Sequence, residues 1–171
     1  MELKIKKLTN DAILPYKHYK YDAGFDMFAN ERVIIKPGEH KKVKTGIAVD
    51  IPEGHVGLLT ARSGINHKSS LRCLLGIVDA GYQGDVSVLI DNRSNRLDSE
   101  PDLLYPTINL KDYSYNYQSK TGFENTYEIK KGDKIAQLVI MPISIFDEVT
   151  EVTEFDSHSE RGDGGFGSTQ N

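Results

Sequence analysis

The chain has 171 residues, 38% of them hydrophobic, and a formal net charge of −4 at pH 7. That length suits one domain with a modest core, and the acidic balance excludes a broad basic surface for nucleic acid. A single cysteine, Cys73, excludes an intrachain disulfide or a cysteine metal cluster, and no run of residues is apolar for long enough to span a membrane.

Residues 3–7 alternate as a first strand, without the apolar core of a signal peptide, so a soluble cytoplasmic protein is expected. A polar loop follows, with Pro15 and tyrosines at 16, 19 and 21. Residues 22–29 alternate again, with Asp26 on the face opposite Phe25. Residues 32–35 form a strand closed by the turn Lys36-Pro37-Gly38-Glu39. Residues 41–51 alternate up to Pro52, and 55–60 make a further short strand. This beat of strands and turns argues an all-β sandwich or barrel.

One helix is expected after Arg62-Ser63-Gly64-Ile65, running towards Ser70, with Ser63 as its cap. A hydroxyl, a guanidinium and free N–H groups there suit a phosphate, although taken locally an ordinary capped helix with a surface arginine is the simpler reading.

Residues 74–78 and 86–90 read as two strands of a hairpin whose turn carries Gly81 and Gly84. Asp79 ends the first strand and Tyr82 follows in the turn. They fit a plain turn, or a carboxylate at the mouth of a pocket beside an aromatic platform.

Residues 94–125 are polar, with Pro101, Pro106 and tyrosines at 105, 113, 115 and 117. They interrupt the strands and read as an ordered insertion. Residues 126–129 and 134–142 resume the pattern. Gln137, in an otherwise apolar strand, is either a core amide or a ligand contact. Residues 159–171 are glycine-rich: a loose tail, or a loop that cradles phosphates with Arg161 while Phe166 covers a base.

Taken together, Asp22-Ala23-Gly24-Phe25-Asp26, Arg62-Ser63-Gly64, residues 76–84, Gly132-Asp133-Lys134-Ile135-Ala136-Gln137-Leu138 and residues 161–169 resemble, in order, the motifs of the homotrimeric dUTPases. The resemblance implies an all-β fold, a distorted jelly-roll β-barrel with one short helix and an inserted segment. Residues 1–158 would form the barrel, and the tail at 159–171 would close the active site. It implies hydrolysis of dUTP to dUMP and pyrophosphate, which clears dUTP and supplies dUMP for thymidylate synthesis. It also implies Mg²⁺ on the triphosphate and sites at subunit interfaces.

By position, Asp79 resembles the residue that activates water, and Tyr82 the aromatic under the deoxyribose. Gly76, Ile77, Val78 and Ser87 resemble the backbone edge that pairs with uracil. Arg62, Ser63, Gly64 and Gln137 resemble phosphate contacts. Asp26 resembles a position that meets the metal through water only. Arg161, Phe166, Gly167, Ser168 and Thr169 resemble the closing tail. Cys73 stands where some relatives carry an asparagine near the base.

The insertion at about 94–125 resembles an extra segment in some bacteriophage dUTPases, staphylococcal ones included, which also bind repressor proteins. A repressor-type partner for the insertion is therefore implied, and host cytoplasm as the location if a phage encodes the chain. The insertion lies outside every motif, so its removal is expected to spare hydrolysis. The rival enzyme is a dCTP deaminase, which needs a glutamate at the base; the central turn has none. The rival of another class is a nucleotide-sensing protein without catalysis, against which the intact Asp79 and tail motif argue.

Overall fold

The computed structural model describes residues 2–95, 104–121, 123–157, 159 and 162. The strands are β1 (Lys4–Lys7), β2 (Gly24–Phe28), β3 (Val33–Ile35), β4 (His40–Val43), β5 (Ile47–Asp50) and β6 (His55–Thr60). After helix α1 (Ser63–Lys68) come β7 (Leu71–Cys73), β8 (Gly76–Val78), β9 (Val88–Asn92), β10 (Tyr105–Asn109), β11 (Tyr115–Thr121), β12 (Tyr127–Ile129) and β13 (Lys134–Pro142). They form four sheets, ordered β1-β5, β11-β10-β12-β3, β2-β13-β6-β8 and β4-β9-β7. The expected all-β architecture with one short helix is present.

One core joins the sheets. Met27, Leu59 and Leu138 enter it from the β2-β13-β6-β8 sheet, Ile35 and Ile129 from the β12-β3 side. Ile47 and Val49 come from β5, Leu71 and Ile90 from β7 and β9. These β-branched and leucine side chains occur every second residue, which gives each strand a buried face.

Three local expectations are corrected. The alternating run 41–51 is two strands, β4 and β5, that pair with different partners, β9 and β1. Ser63 does not cap α1: the cap position falls on Arg62, and no side chain caps there. The two strands of the central stretch do not form a paired hairpin. β8 pairs with β6, whereas β9 lies between β4 and β7, so the turn crosses from one sheet to another.

The insertion does not stand apart from the barrel. Its strands β10 and β11 pair with each other, and β10 runs parallel to β12, extending the sheet on the side of β12 away from β3. A buried carboxylate fastens this seam. Glu128 on β12, 2% exposed, accepts hydrogen bonds from Arg32 (2.6 Å), Asn116 (2.5 Å) and Thr107 (3.3 Å). Arg32 also donates to Ser119 at 3.0 Å. Deleting the whole insertion would strip Glu128 of two of these donors and uncover β12, so its removal cannot be neutral for the barrel.

Candidate active site

The splayed turn between β8 and β9 makes a cleft. β8 is the edge strand of its sheet, so among the described residues one row of its backbone N–H and C=O groups has no strand beside it. That edge faces a cavity of about 270 Å³ whose walls include Gly76, Ile77 and Val78 on one side and Tyr82, Asp85 and Ser87 on the other. Leu59, Leu74 and Leu89 add apolar surface. An apolar slot with a rigid polar edge selects a flat ring by its hydrogen-bonding pattern.

The turn holds its shape through Asp85. Its carboxylate accepts the N–H of Gly46 at 2.8 Å, that of Thr45 at 3.4 Å and the Ser87 hydroxyl at 2.5 Å. Tyr82 donates its hydroxyl to the Asp85 carbonyl at 3.1 Å, which lays the ring over Gly84. A side chain at Gly84 would collide with that ring. Gly81 turns the chain with φ +88°, a conformation that side chains disfavour. Asp79 stands exposed at the end of β8, where the chain leaves the sheet.

A second cluster sits around Asp26. Its side chain accepts from Arg62 Nε at 3.0 Å and from Lys134 Nζ at 2.7 Å. The Asp26 hydrogen bond, with a contribution from Tyr16, holds the Lys134 ammonium above its ordinary pKa. One carboxylate between two cations leaves the cluster with a net positive charge. Arg62 is oriented through Nε, which leaves its terminal nitrogens to face a ligand.

A bulge in β13 builds this face. Lys134 pairs with Phe28, Ala136 with Met27 and Gln137 with Asp26, so Ile135 is the extra residue. Residues 134 and 137 would lie on opposite faces of a regular strand; the bulge turns both towards Asp26. Gln137 also lies opposite Thr60, two residues before Arg62.

The structure brings the predicted residues into two groups. Gly76, Ile77, Val78, Tyr82 and Ser87 line the cleft, whereas Asp79 does not line it and stands exposed next to Val78 in the chain. Asp26, Arg62 and Gln137 form the other group, with Ser63 and Gly64 next in the chain. Arg161, Phe166, Gly167, Ser168 and Thr169 lie outside the described residues. Cys73 does not line the cleft, and burial pushes its thiol up to about 11, which keeps it in the thiol form at neutral pH.

Sequence reasoning passed over Lys134 and Asp85. Lys134 was in view within a motif, but its role depends on the bulge. Asp85 carried no role in the sequence, because its partners at 45 and 46 are distant in the chain.

Among the described residues no group of three His, Cys, Asp or Glu side chains is placed to hold a metal ion. Asp26 gives one acceptor site of each carboxylate oxygen to a cation, and a remaining lone pair can accept from a metal-bound water. That donor set fits a metal carried on a ligand's own oxygens and reached through water.

An all-β domain with an edge-lined base cleft and a separate cationic cluster defines a nucleotide-binding enzyme. The dUTPase family model matches residues 10–97 and 118–170 and passes over the middle of the insertion. The deoxyuridine 5'-triphosphate nucleotidohydrolase of Nautilia profundicola is 39% identical over 99% of both chains. The dUTPase of Staphylococcus bacteriophage 80alpha, solved with dUpNHpp, superposes with a TM-score of 0.89 at 39% identity, covering 99% of both chains. That of phage phi11 of S. aureus, described for its species-specific insert, gives 0.82 at 38% identity, covering 92% of this chain and all of the other. A mutant of the phi11 enzyme is described as coordinating a structural Mg(II) ion. The chain belongs to the dUTPase family.

Proposed function

We propose that three copies of this chain build the sites at which dUTP is hydrolysed to dUMP and pyrophosphate, each site combining the cleft of one subunit with the cationic cluster of a neighbour. The chain is a dUTPase, a hydrolase of nucleotide metabolism. The observation that carries the shared site is the distance between its two groups. Val78 pairs with Gly57 near the start of β6, whereas Arg62 follows the end of that strand. At about 3.3 Å per residue, Asp79 and Arg62 are roughly 20 Å apart along the strands. One chain does not close both groups around one triphosphate.

A second observation supports assembly. After the Ile143 N–H donates to the Gly54 carbonyl at 2.9 Å, every residue from 143 to 157 is exposed. Phe146, Val149 and Phe155 are 83–99% exposed, too much apolar surface for a lone subunit to leave in water. This arm would pack on a neighbouring copy and carry the tail at 159–171 to that neighbour's cleft.

Within the site, uracil pairs with the free edge of β8 and with the backbone around Ser87. The thymine methyl clashes with the slot, and the fixed donor–acceptor pattern rejects cytosine. Tyr82 packs under the deoxyribose. Asp79 takes a proton from the water that attacks the α-phosphate. Arg62, Ser63 and Gln137 hold the phosphates that depart as pyrophosphate. Mg²⁺, when bound, neutralises phosphate charge through the substrate's own oxygens, and Asp26 meets it through water. Arg161 and the residues 166–169 close over the nucleotide.

The reaction belongs in the cytoplasm, where the nucleotide pool is; among the described residues no helix is long and apolar enough to cross a membrane. The insertion is the part of the chain that suits a protein partner of repressor type. The phage 80alpha dUTPase, which resembles this chain, is described as controlling transfer of virulence genes. Pyrophosphate release from dUTP, with none from dTTP and no ammonia from dCTP, tests the activity.

A further inference from the structure

Helix α1 is held from outside. It has six residues, and no side chain caps its first turn, so local interactions do little to fix it. Two tyrosines of the β11-β10-β12-β3 side grip it instead. At its start the Tyr113 hydroxyl donates to the Gly64 carbonyl at 3.1 Å. At its far end the Ser70 N–H donates to the Tyr127 hydroxyl at 3.1 Å.

Tyr127 belongs to the barrel, but Tyr113 belongs to the insertion, in the loop between β10 and β11. Its backbone is left-handed, with φ 62°, and its N–H donates to the Asn109 carbonyl at 2.9 Å. That conformation is rare for a bulky aromatic residue and persists only where the surroundings impose it. Here it turns the ring towards α1. Tyr113, Leu110 and Lys111 form one side of a cavity of about 440 Å³; Arg62, Ile65 and Lys134 form another. The insertion therefore walls the cationic cluster as well as extending the sheet.

We infer that Tyr113 is a positioning residue for the triphosphate: by holding the Gly64 carbonyl it fixes the backbone of Ser63 and Gly64, and so makes the insertion part of the phosphate-binding apparatus. This rests on the reading that Arg62-Ser63-Gly64 contacts phosphates. The consequence is a two-way coupling. Whatever displaces the β10–β11 loop weakens dUTP binding, and a bound triphosphate steadies that loop by the same factor.

Tyr113→Phe tests this, because it removes one hydroxyl and keeps the ring. The expected result is a KM for dUTP raised roughly three- to tenfold, with kcat within about twofold of the parent. Inhibition by deoxyuridine, which lacks phosphates, stays unchanged, and the melting temperature falls by only a few degrees, the cost of about one hydrogen bond. An unchanged KM overturns the inference whatever happens to kcat, and so does an equal loss of deoxyuridine affinity. Arg62→Gln, assayed alongside, separates the two levels. If it leaves dUTP affinity intact, the phosphate reading itself fails; if it weakens dUTP while Tyr113→Phe does not, only the role of Tyr113 fails. Amide exchange across residues 109–117 gives an independent readout in the parent protein. It should slow with the non-hydrolysable α,β-imido analogue of dUTP and not with deoxyuridine; equal exchange in both overturns the coupling.

Discussion

Arg62 and Asp79 leave opposite ends of one antiparallel strand pair. β6 runs from His55 to Thr60 and hands on to Arg62; β8 runs the other way and ends at Val78, beside Gly57. The register fixes this separation within each chain. On the proposed reading, each subunit then supplies halves of two different sites.

Asp79→Asn keeps size and shape but cannot accept a proton from water. Turnover should fall roughly 10²- to 10⁴-fold while the imido analogue binds nearly as before. Steady-state kinetics with a parallel calorimetric titration check this. A variant that turns over at the parent rate removes Asp79 from the mechanism.

Asp26→Asn removes the charge that separates Arg62 from Lys134. Both cations are about one-third exposed, so the stability loss should be about 1–2 kcal/mol, less than for a fully buried pair. The KM for dUTP should rise more than kcat falls, because Arg62 loses its orientation. Thermal melts and kinetics on the same preparation measure both.

Glu128 gives the insertion seam a pH dependence. Burial alone would raise its pKa, but hydrogen bonds from Asn116 and Arg32, with the Arg32 charge, bring it below the ordinary value of 4.5. A depressed folded-state pKa contributes stability that is fully present above the unfolded value and is lost as pH falls through the folded one. Melting temperature should therefore drop on acidification below about that ordinary value. Glu128→Gln, less stable at neutral pH, should show a flatter acid limb; parallel limbs would remove Glu128 from the effect.

Removing residues 143–171 tests the arm. The described part of that segment has no buried residue, so the barrel should remain folded by circular dichroism. Sedimentation should then report monomers in place of trimers. A shortened chain that still forms trimers would assign assembly to the barrel surfaces.

Much of the fold was legible from alternation alone. β13 was read with its observed bounds, because nine mostly apolar residues follow the turn Lys130–Asp133. The boundaries inside 41–51 and 71–78 were not legible, because strand pairing there depends on residues distant in sequence. Asp79, Tyr82 and Arg62 fitted an ordinary turn and a capped helix by type and spacing, and stood out only through the resemblance of the five motifs taken together. What was not legible was the company they keep. Lys134 joins Asp26 only through a bulge, Asp85 grips a turn forty residues earlier in the chain, and Tyr113 reaches α1 across the insertion. Each depends on long-range geometry that local pattern does not encode.

The shared site is tested most directly by mixing Asp79→Asn with Arg62→Gln, each nearly inactive alone. The two proteins are unfolded, combined in equal amounts and refolded, and mixed trimers are verified by mass. If Asp79 and Arg62 of one site come from different subunits, random assembly gives roughly a quarter of sites both intact residues, the product of two halves. Activity rising towards that fraction of the parent is the predicted result. If mixed trimers form and activity stays at the level of the separate mutants, each site is built within one chain, and the account is wrong.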